Sequence, residues 1–311
     1  MVSSVVSRLR QVVLFALCVA GVASSVSAKG WDPLEYTLRM NAYGTSSAFP
    51  GSAGTAPDRG FEPAFEAGSS IRAFGVYKVN LSASAGAHVQ QDFTKANYSW
   101  FAAGTQVRRA KTVVTLDGEY VPHRNKFPSD PEEGGPFKSW ATTLGVRQAL
   151  SDRMRVRFEG MVDREKFEPA FSLRDARGRE LYGQFGITPT PGTDLRLEGA
   201  VAHDQTTSPK YTKDTHWLGI GVVWSGAPGR ADLGVRSSVR RYGDAILGDS
   251  NFERRDQSID VRLRLTREVR PGMTVALGAT AVNQTSSRID RNYDVHTFSL
   301  GFEWTGGGKK P

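Results

Sequence analysis

The chain has 311 residues, a formal charge of +8 and a mean hydropathy of −0.38. Its basic residues are spread along the whole length rather than gathered in one arm or on one helix face, which argues against a nucleic-acid-binding protein. After residue 28 no apolar run approaches the ~20 residues of a membrane-spanning helix, so a transmembrane structure would have to be built from strands.

The first 28 residues have the pattern of a secretory signal peptide. Arg8 and Arg10 form a positive n-region, residues 11–23 form a short apolar core, and small residues end the segment at Ala28. Cleavage after Ala28 would leave a mature chain of residues 29–311 with a charge of about +6, and would remove Cys18, the only cysteine. We therefore expect neither a disulfide nor a thiolate metal site in the mature chain.

The rest of the chain alternates apolar and polar residues with a period of two. In residues 259–266 (IDVRLRLT), apolar side chains occupy alternate positions and Asp260, Arg262 and Arg264 lie between them. A strand puts these charges on one face, whereas a helix would scatter them. The pattern predicts fourteen strands, over residues 34–45, 62–74, 78–90, 96–107, 112–122, 138–149, 153–165, 178–189, 194–205, 215–225, 230–242, 255–267, 272–284 and 292–305.

The predicted connections alternate between short and long. Short turns fall near residues 110, 151–152, 191–192, 227–228 and 270–272, whereas the long polar stretches cover 46–61, 123–137, 166–177, 206–214, 243–254 and 285–291. Outer-membrane barrels have short periplasmic turns and long external loops. The sequence therefore predicts an all-β, antiparallel up-and-down transmembrane barrel in residues 29–311, with both termini in the periplasm.

The last predicted strand resembles the terminal strand that the barrel-assembly machinery recognises in bacterial outer-membrane proteins. Its alternating apolar residues are Phe298, Leu300, Phe302 and Trp304. It departs from that pattern in the polar tail, residues 305–311, since such proteins usually end on the aromatic residue. The mature chain as a whole resembles fourteen-stranded bacterial outer-membrane barrels of porin-like or polysaccharide-export-associated type. The resemblance implies a bacterial outer-membrane location, with outer-membrane lipids, the assembly machinery and periplasmic export proteins as partners.

If the apolar face contacts lipid, the alternate residues line the lumen. The basic residues expected there are arginines, with no lysine, and tyrosines accompany them. The predicted pore-lining residues are Arg39, Arg72, Arg147, Arg155, Arg157, Arg196, Arg236, Arg240, Arg262, Arg264, Tyr43, Tyr182 and Tyr242. The acidic residues expected beside them are Asp117, Glu119, Glu159, Asp163, Glu180, Glu198, Asp232 and Asp260.

Three interpretations of this lumen are open. Arginine forks and inward aromatic rings would suit the export of a cell-surface polysaccharide, which is our first hypothesis. The second is a general or anion-preferring diffusion porin. In the third, the charges pair between neighbouring strands and only stabilise the wall. A fourteen-stranded ring lies between side-chain-filled and water-filled barrels, so its lumen should admit a narrow solute or one extended chain.

The sequence gives little support to an enzyme. None of the histidines shows a metal-ligand spacing, so we expect no metal and no cofactor. A lipid enzyme active at the barrel rim would need His and Ser together on the lipid face. His216 and His296 share that face, but Ser299 does not. We therefore expect a protein that is not an enzyme.

Overall fold

Fourteen antiparallel strands close into a barrel in which each strand pairs with its neighbours in the chain and the last pairs with the first. The computed structural model describes residues 32–46, 57–91, 96–126, 135–227, 229–243, 245–288 and 291–307. The predicted signal peptide, residues 1–28, lies outside these ranges. The predicted fold class and the strand number are confirmed. No helix in the described ranges is long and apolar enough to span a membrane.

The strands agree with the predicted segments to within a few residues. They are, from β1 to β14, Glu35–Thr45, Asp58–Ala73, Tyr77–Gln90, Tyr98–Arg109, Thr112–Lys126, Gly135–Ala149, Met154–Phe167, Ala176–Thr190, Thr193–Thr206, Lys213–Gly226, Gly229–Arg241, Arg255–Arg270, Met273–Ser286 and Tyr293–Gly307. Strand β2 begins four residues earlier than predicted, because polar Asp58 and Arg59 do not show the alternation. Both nevertheless pair with the end of β1.

The two ends of the barrel differ in their connections. At the end that carries both chain termini, which we call the terminal end, turns of two to four residues join the strands. In one of them Phe74 and Gly75 have φ of 51° and 72°, the left-handed pair that tight hairpins require. The opposite end, called the loop end, carries the longer connections, including residues 168–175 and 242–254.

The outer face of the wall is apolar. Leu218, Ile220 and Phe298 are each at least 60% exposed, and most of their partners in the strand register are apolar residues or glycine. Near the terminal end, the Tyr36 and Trp304 rings meet edge to face at 5.4 Å. Such a surface would be unfavourable in water, and it matches the lipid-facing band of a transmembrane barrel.

The barrel closes between β1 and β14, where the register runs from Glu35 opposite Gly307 to Thr45 opposite Thr297. On the inner face Arg39 joins three strands at this seam. Its Nε lies 2.9 Å from Glu303 on β14, and its Nη2 lies 3.2 Å from Glu66 on β2. The ion pairs hold the seam from inside while the backbone ladder closes it.

The alternation of faces can be tested with neighbouring substitutions on β13. Leu277 is 53% exposed on the outer face, whereas Ala276 lies opposite Thr266 on the inner face, in the same set of alternate residues as Gly278 opposite Arg264. We expect Leu277→Arg to lower the free energy of unfolding by about 2–4 kcal/mol, because it places a charge in lipid, and Ala276→Arg to cost much less. Guanidinium unfolding of the protein in lipid vesicles measures both. Equal losses would contradict the assignment of the two faces.

Candidate functional site

The strand register places every predicted pore-lining arginine on the inner face, together with Tyr43 and Tyr182. Tyr242 follows β11 at the loop end, where it is 5% exposed and lines a cavity of about 160 Å³ with Arg240 and Lys213. The lumen therefore brings the predicted arginines together with Tyr43 and Tyr182, and we take it as the candidate site.

The lumen contains more charged residues than the sequence pattern predicts. The register adds the inward cations Lys78, Arg108, Arg124, Lys213 and Arg230. It also adds a longer set of inward acids, namely Glu35, Asp58, Glu62, Glu66, Glu165, Asp194, Asp204, Asp256, Glu268 and Glu303. The expectation of no inward lysine is wrong, because Lys78 and Lys213 lie near strand ends, where too few residues remain to show the alternation.

Several predicted arginines form ion pairs within the wall. Arg155 on β7 reaches Asp194 on β9, and Arg196 on β9 reaches Asp232 on β11 at 2.6 Å. Each of these side chains crosses an intervening strand at a glycine. For Arg155 this glycine is Gly186, where an added Cβ would lie 3.1 Å from the Arg155 Nε.

The corresponding glycine beneath Arg196 is Gly221. Arg236 pairs with Asp260 at 2.5 Å on the adjacent strand. These arginines fit the third interpretation, in which charged side chains pair between strands and stabilise the wall, because a neighbouring carboxylate neutralises the charge of each.

A second group of cations includes three arginines without such a neighbour among the described residues. Arg72, Lys78, Arg108 and Arg147, here called the basic row, lie close to the terminal end of their strands. Lys78 lies directly opposite both Arg72 and Arg108, and Val113 separates Arg108 from Arg147. Within the described residues, no carboxylate lies within 4.0 Å of the three arginines, and Lys78 has only Asp32 at that distance. Their charge is available to a solute.

Acidic residues form a separate group toward the loop end. Glu119, Asp163 and Asp204 share one row of the register, with small Ala141 and Gly178 between them. Lys213 pairs with Asp204 at 3.4 Å. Among the described residues no group of three or more His, Cys, Asp or Glu is placed to hold a metal ion. These three acids, here called the acidic wall, give this part of the lumen a negative charge.

An aromatic cluster covers the inner wall of β1 to β4. His88 stacks between Tyr43 and Tyr98, with ring centroids 5.4 and 5.2 Å away. The His88 Nδ1 lies 2.7 Å from Glu62 Oε1, and its Nε2 lies 3.0 Å from the Tyr43 hydroxyl. Trp100 lies beside this group.

The cluster borders a cavity of about 500 Å³, which seven neighbouring strands line, β12 to β14 and β1 to β4. Arg262 and Arg264 face it from β12. The sequence did not predict that His88, Glu62, Tyr98 and Trp100 form one group. Their shared inward parity was the available signal, but the register between strands was needed to bring them together.

A second aromatic group lies on the inner face of β8 and β10. Tyr182 and Trp217 have ring centroids 5.7 Å apart, and Arg157 and Arg236 lie over their faces at 5.7 and 5.3 Å. The Tyr182 hydroxyl donates to Glu198 at 2.9 Å. Tyr182 was predicted to line the pore, whereas Trp217 was not singled out.

At the loop end, the connection between β11 and β12 is fastened by a buried ion pair. Arg254 and Asp256 are each 2% exposed in their side chains, and two hydrogen bonds of 3.0 and 2.8 Å join them. Arg254 also donates to Asn251 and lies over the Tyr242 ring at 4.6 Å. Asn251 in turn donates to the backbone of Lys210 at 3.0 Å. These contacts, the loop latch, hold residues 242–254 against the neighbouring connection.

The residues considered for a rim-active enzyme do not come together. The register places His216 and His296 on the outer face, and Ser299 on the inner face beside the large cavity. The outer residues of β14 include Phe298, Leu300, Phe302 and Trp304, as an assembly signal would require. That role stays a prediction.

Comparison with known proteins supports the architecture. Neither protein-family models nor curated protein sequences match the chain. Among solved structures, OmpT, an outer membrane protein of Vibrio cholerae, is 9% identical with a TM-score of 0.55, covering 90% of this chain and 99% of that one. An anion-selective porin from Comamonas acidovorans is 6% identical with a TM-score of 0.51, covering 89% and 100%. The chain has the fold of bacterial outer-membrane barrels.

Proposed function

We propose that this barrel is a water-filled channel of the bacterial outer membrane that passes small hydrophilic solutes, with preference for anions at one entrance. The observation that carries the proposal is the basic row, whose arginines face the lumen without a carboxylate partner within 4.0 Å among the described residues. Rings of like charge at a pore entrance set which ions enter. The structural similarity to an anion-selective porin agrees with this choice.

The remaining charges of the lumen weaken the preference for anions. The acidic wall places Glu119, Asp163 and Asp204 farther along the path. A solute that enters past the basic row therefore meets the opposite charge before it leaves. Such an arrangement favours weak selectivity and rapid passage over tight binding, because conduction requires that a bound solute can also leave.

We propose that the terminal end faces the periplasm. Its turns are short, as on the periplasmic side of known barrels, and the long connections at the other end would be external. The basic row would then lie at the periplasmic entrance of the channel. The outer-membrane lipids contact the apolar face, and the barrel-assembly machinery would recognise β14.

Export of a cell-surface polysaccharide, together with periplasmic export proteins, is the second candidate. Two groups of aromatic rings on the inner wall favour it, since rings flanked by arginines and carboxylates can contact sugars. In a strain that lacks the gene, this candidate requires loss of surface polysaccharide, whereas a diffusion channel requires only slower uptake of solutes.

The basic row leads to a test of charge selectivity. We expect purified protein in planar bilayers to conduct ions, and Arg147→Glu to shift the reversal potential in a salt gradient toward cations, because it changes the local charge by two units beside Arg108. Arg267→Glu, on the outer face near the same end, is the control and should leave the potential unchanged. Absence of conductance from folded wild-type protein would contradict the channel.

The loop latch leads to a test of access. Removing one partner of a buried ion pair costs about 3–5 kcal/mol, so Arg254→Ala should release residues 242–254. We expect a higher single-channel conductance and faster proteolysis of this loop. Arg255→Ala removes an exposed arginine next to it and should change neither. Equal conductance and protease resistance in both variants would show that the loop does not restrict the path.

A further inference from the structure

We propose that the cavity beside Trp100 binds acidic saccharides, meaning hydroxyl-rich rings that carry a carboxylate, as they pass through the lumen. The inference rests on the proposed channel, since the site lies on the wall of the same lumen. It is carried by the juxtaposition, within one cavity of about 500 Å³, of a flat aromatic ring and two arginines. This volume lies within the ~300–1,000 Å³ of small-molecule sites.

Trp100 provides a platform for a sugar ring. Its indole lies against the backbone of Gly86 on the adjacent strand, where an added Cβ would come within 2.5–2.6 Å of ring atoms Cε2, Cζ2 and Nε1. The indole therefore packs against the barrel wall at Gly86, and it also lines the cavity. The negative face of an aromatic ring attracts the weakly positive C–H groups of a sugar.

The neighbouring rings are fixed in place before any ligand arrives. Glu62, His88 and the Tyr43 hydroxyl form a chain of hydrogen bonds of 2.7 and 3.0 Å, and Tyr98 stacks on His88. Arg124 lies over the Tyr98 ring at 4.6 Å. A surface whose rotamers are already fixed loses little conformational entropy on binding, which favours recognition of a weak ligand.

The arginines of the cavity favour saccharides that carry a carboxylate. Arg264 has no carboxylate within 4.0 Å among the described residues, and Arg262 reaches Asp260 only at 3.9 Å while its side chain is 58% exposed. Arg39, in contrast, is engaged by Glu303 and Glu66. A guanidinium group forms paired hydrogen bonds with a planar carboxylate. The uncommitted charge of this cavity is thus positive, and it favours an acidic sugar over a neutral one.

Calorimetric titration of the folded protein in detergent tests the site directly. Trigalacturonic acid and maltotriose serve as acidic and neutral probes of equal length. We expect the acidic trisaccharide to bind about tenfold more tightly, which corresponds to one charge-assisted hydrogen bond. Binding of neither probe, or equal binding of both, would overturn the proposal.

Two variants distinguish the contribution of the Trp100 ring to binding from that of the Arg264 charge. Trp100→Ala should weaken both saccharides by a similar factor of about ten, whereas Arg264→Gln should weaken only the acidic one. The matched controls are Trp140→Ala and Arg267→Gln, whose side chains lie on the outer face, and they should bind as the wild type does. Wild-type affinity in Trp100→Ala or Arg264→Gln would overturn the assignment.

Gly86→Val provides a second test of the Trp100 platform in case Trp100→Ala does not fold. It keeps the indole but forces it from the wall, so it should also weaken both saccharides, and migration on unheated gels reports whether each variant is folded. Bilayer conductance separates the two proposals. A conducting protein without saccharide binding would overturn this inference alone, whereas a protein that binds trigalacturonic acid but does not conduct would overturn the channel and leave the site.

Discussion

Closure of the backbone ladder is the constraint on which the rest of the structure depends. A bilayer offers no water to unpaired peptide groups, so a sheet can cross it only without free edges. The pairing of β1 with β14 meets that requirement. Because the strand number is even, closure also brings both termini to one end, and it sends one set of alternate residues into lipid and the other into the lumen.

The charge pattern of the inner wall depends on this division of alternate residues between lipid and lumen. Side chains that face the lumen are crowded by their neighbours, and glycines such as Gly186 give arginines the room to cross a strand and reach an acid. These pairs neutralise much of the lumen charge. What remains uncommitted is spatially separated, with Arg108 and Arg147 near the terminal end and Arg264 beside the aromatic cluster. The proposed functions rest on these uncommitted charges rather than on the total number of arginines.

The period-two alternation was enough to predict the strand number, most strand bounds and the inward parity of the arginines. It was not enough near strand ends, where Asp58, Lys78 and Lys213 have too few neighbours to show a pattern. It also could not bring Glu62, His88 and Trp100 together, since their proximity depends on the register between three strands. The buried Arg254–Asp256 pair at the loop end joins a loop residue to a strand residue, and the alternation within one strand does not predict such a contact.

Disulfide cross-linking between β1 and β14 is the most direct test of the structure. In a chain with Cys18, the only cysteine, replaced by alanine, Ala42→Cys and Leu300→Cys place two thiols opposite each other in the register. Directly opposed residues lie within disulfide reach, whereas partners shifted by two residues do not. The closed barrel predicts rapid oxidation of this pair and little oxidation of Ala42→Cys with Phe302→Cys. Failure of the first pair, or equal oxidation of both, would contradict closure in this register.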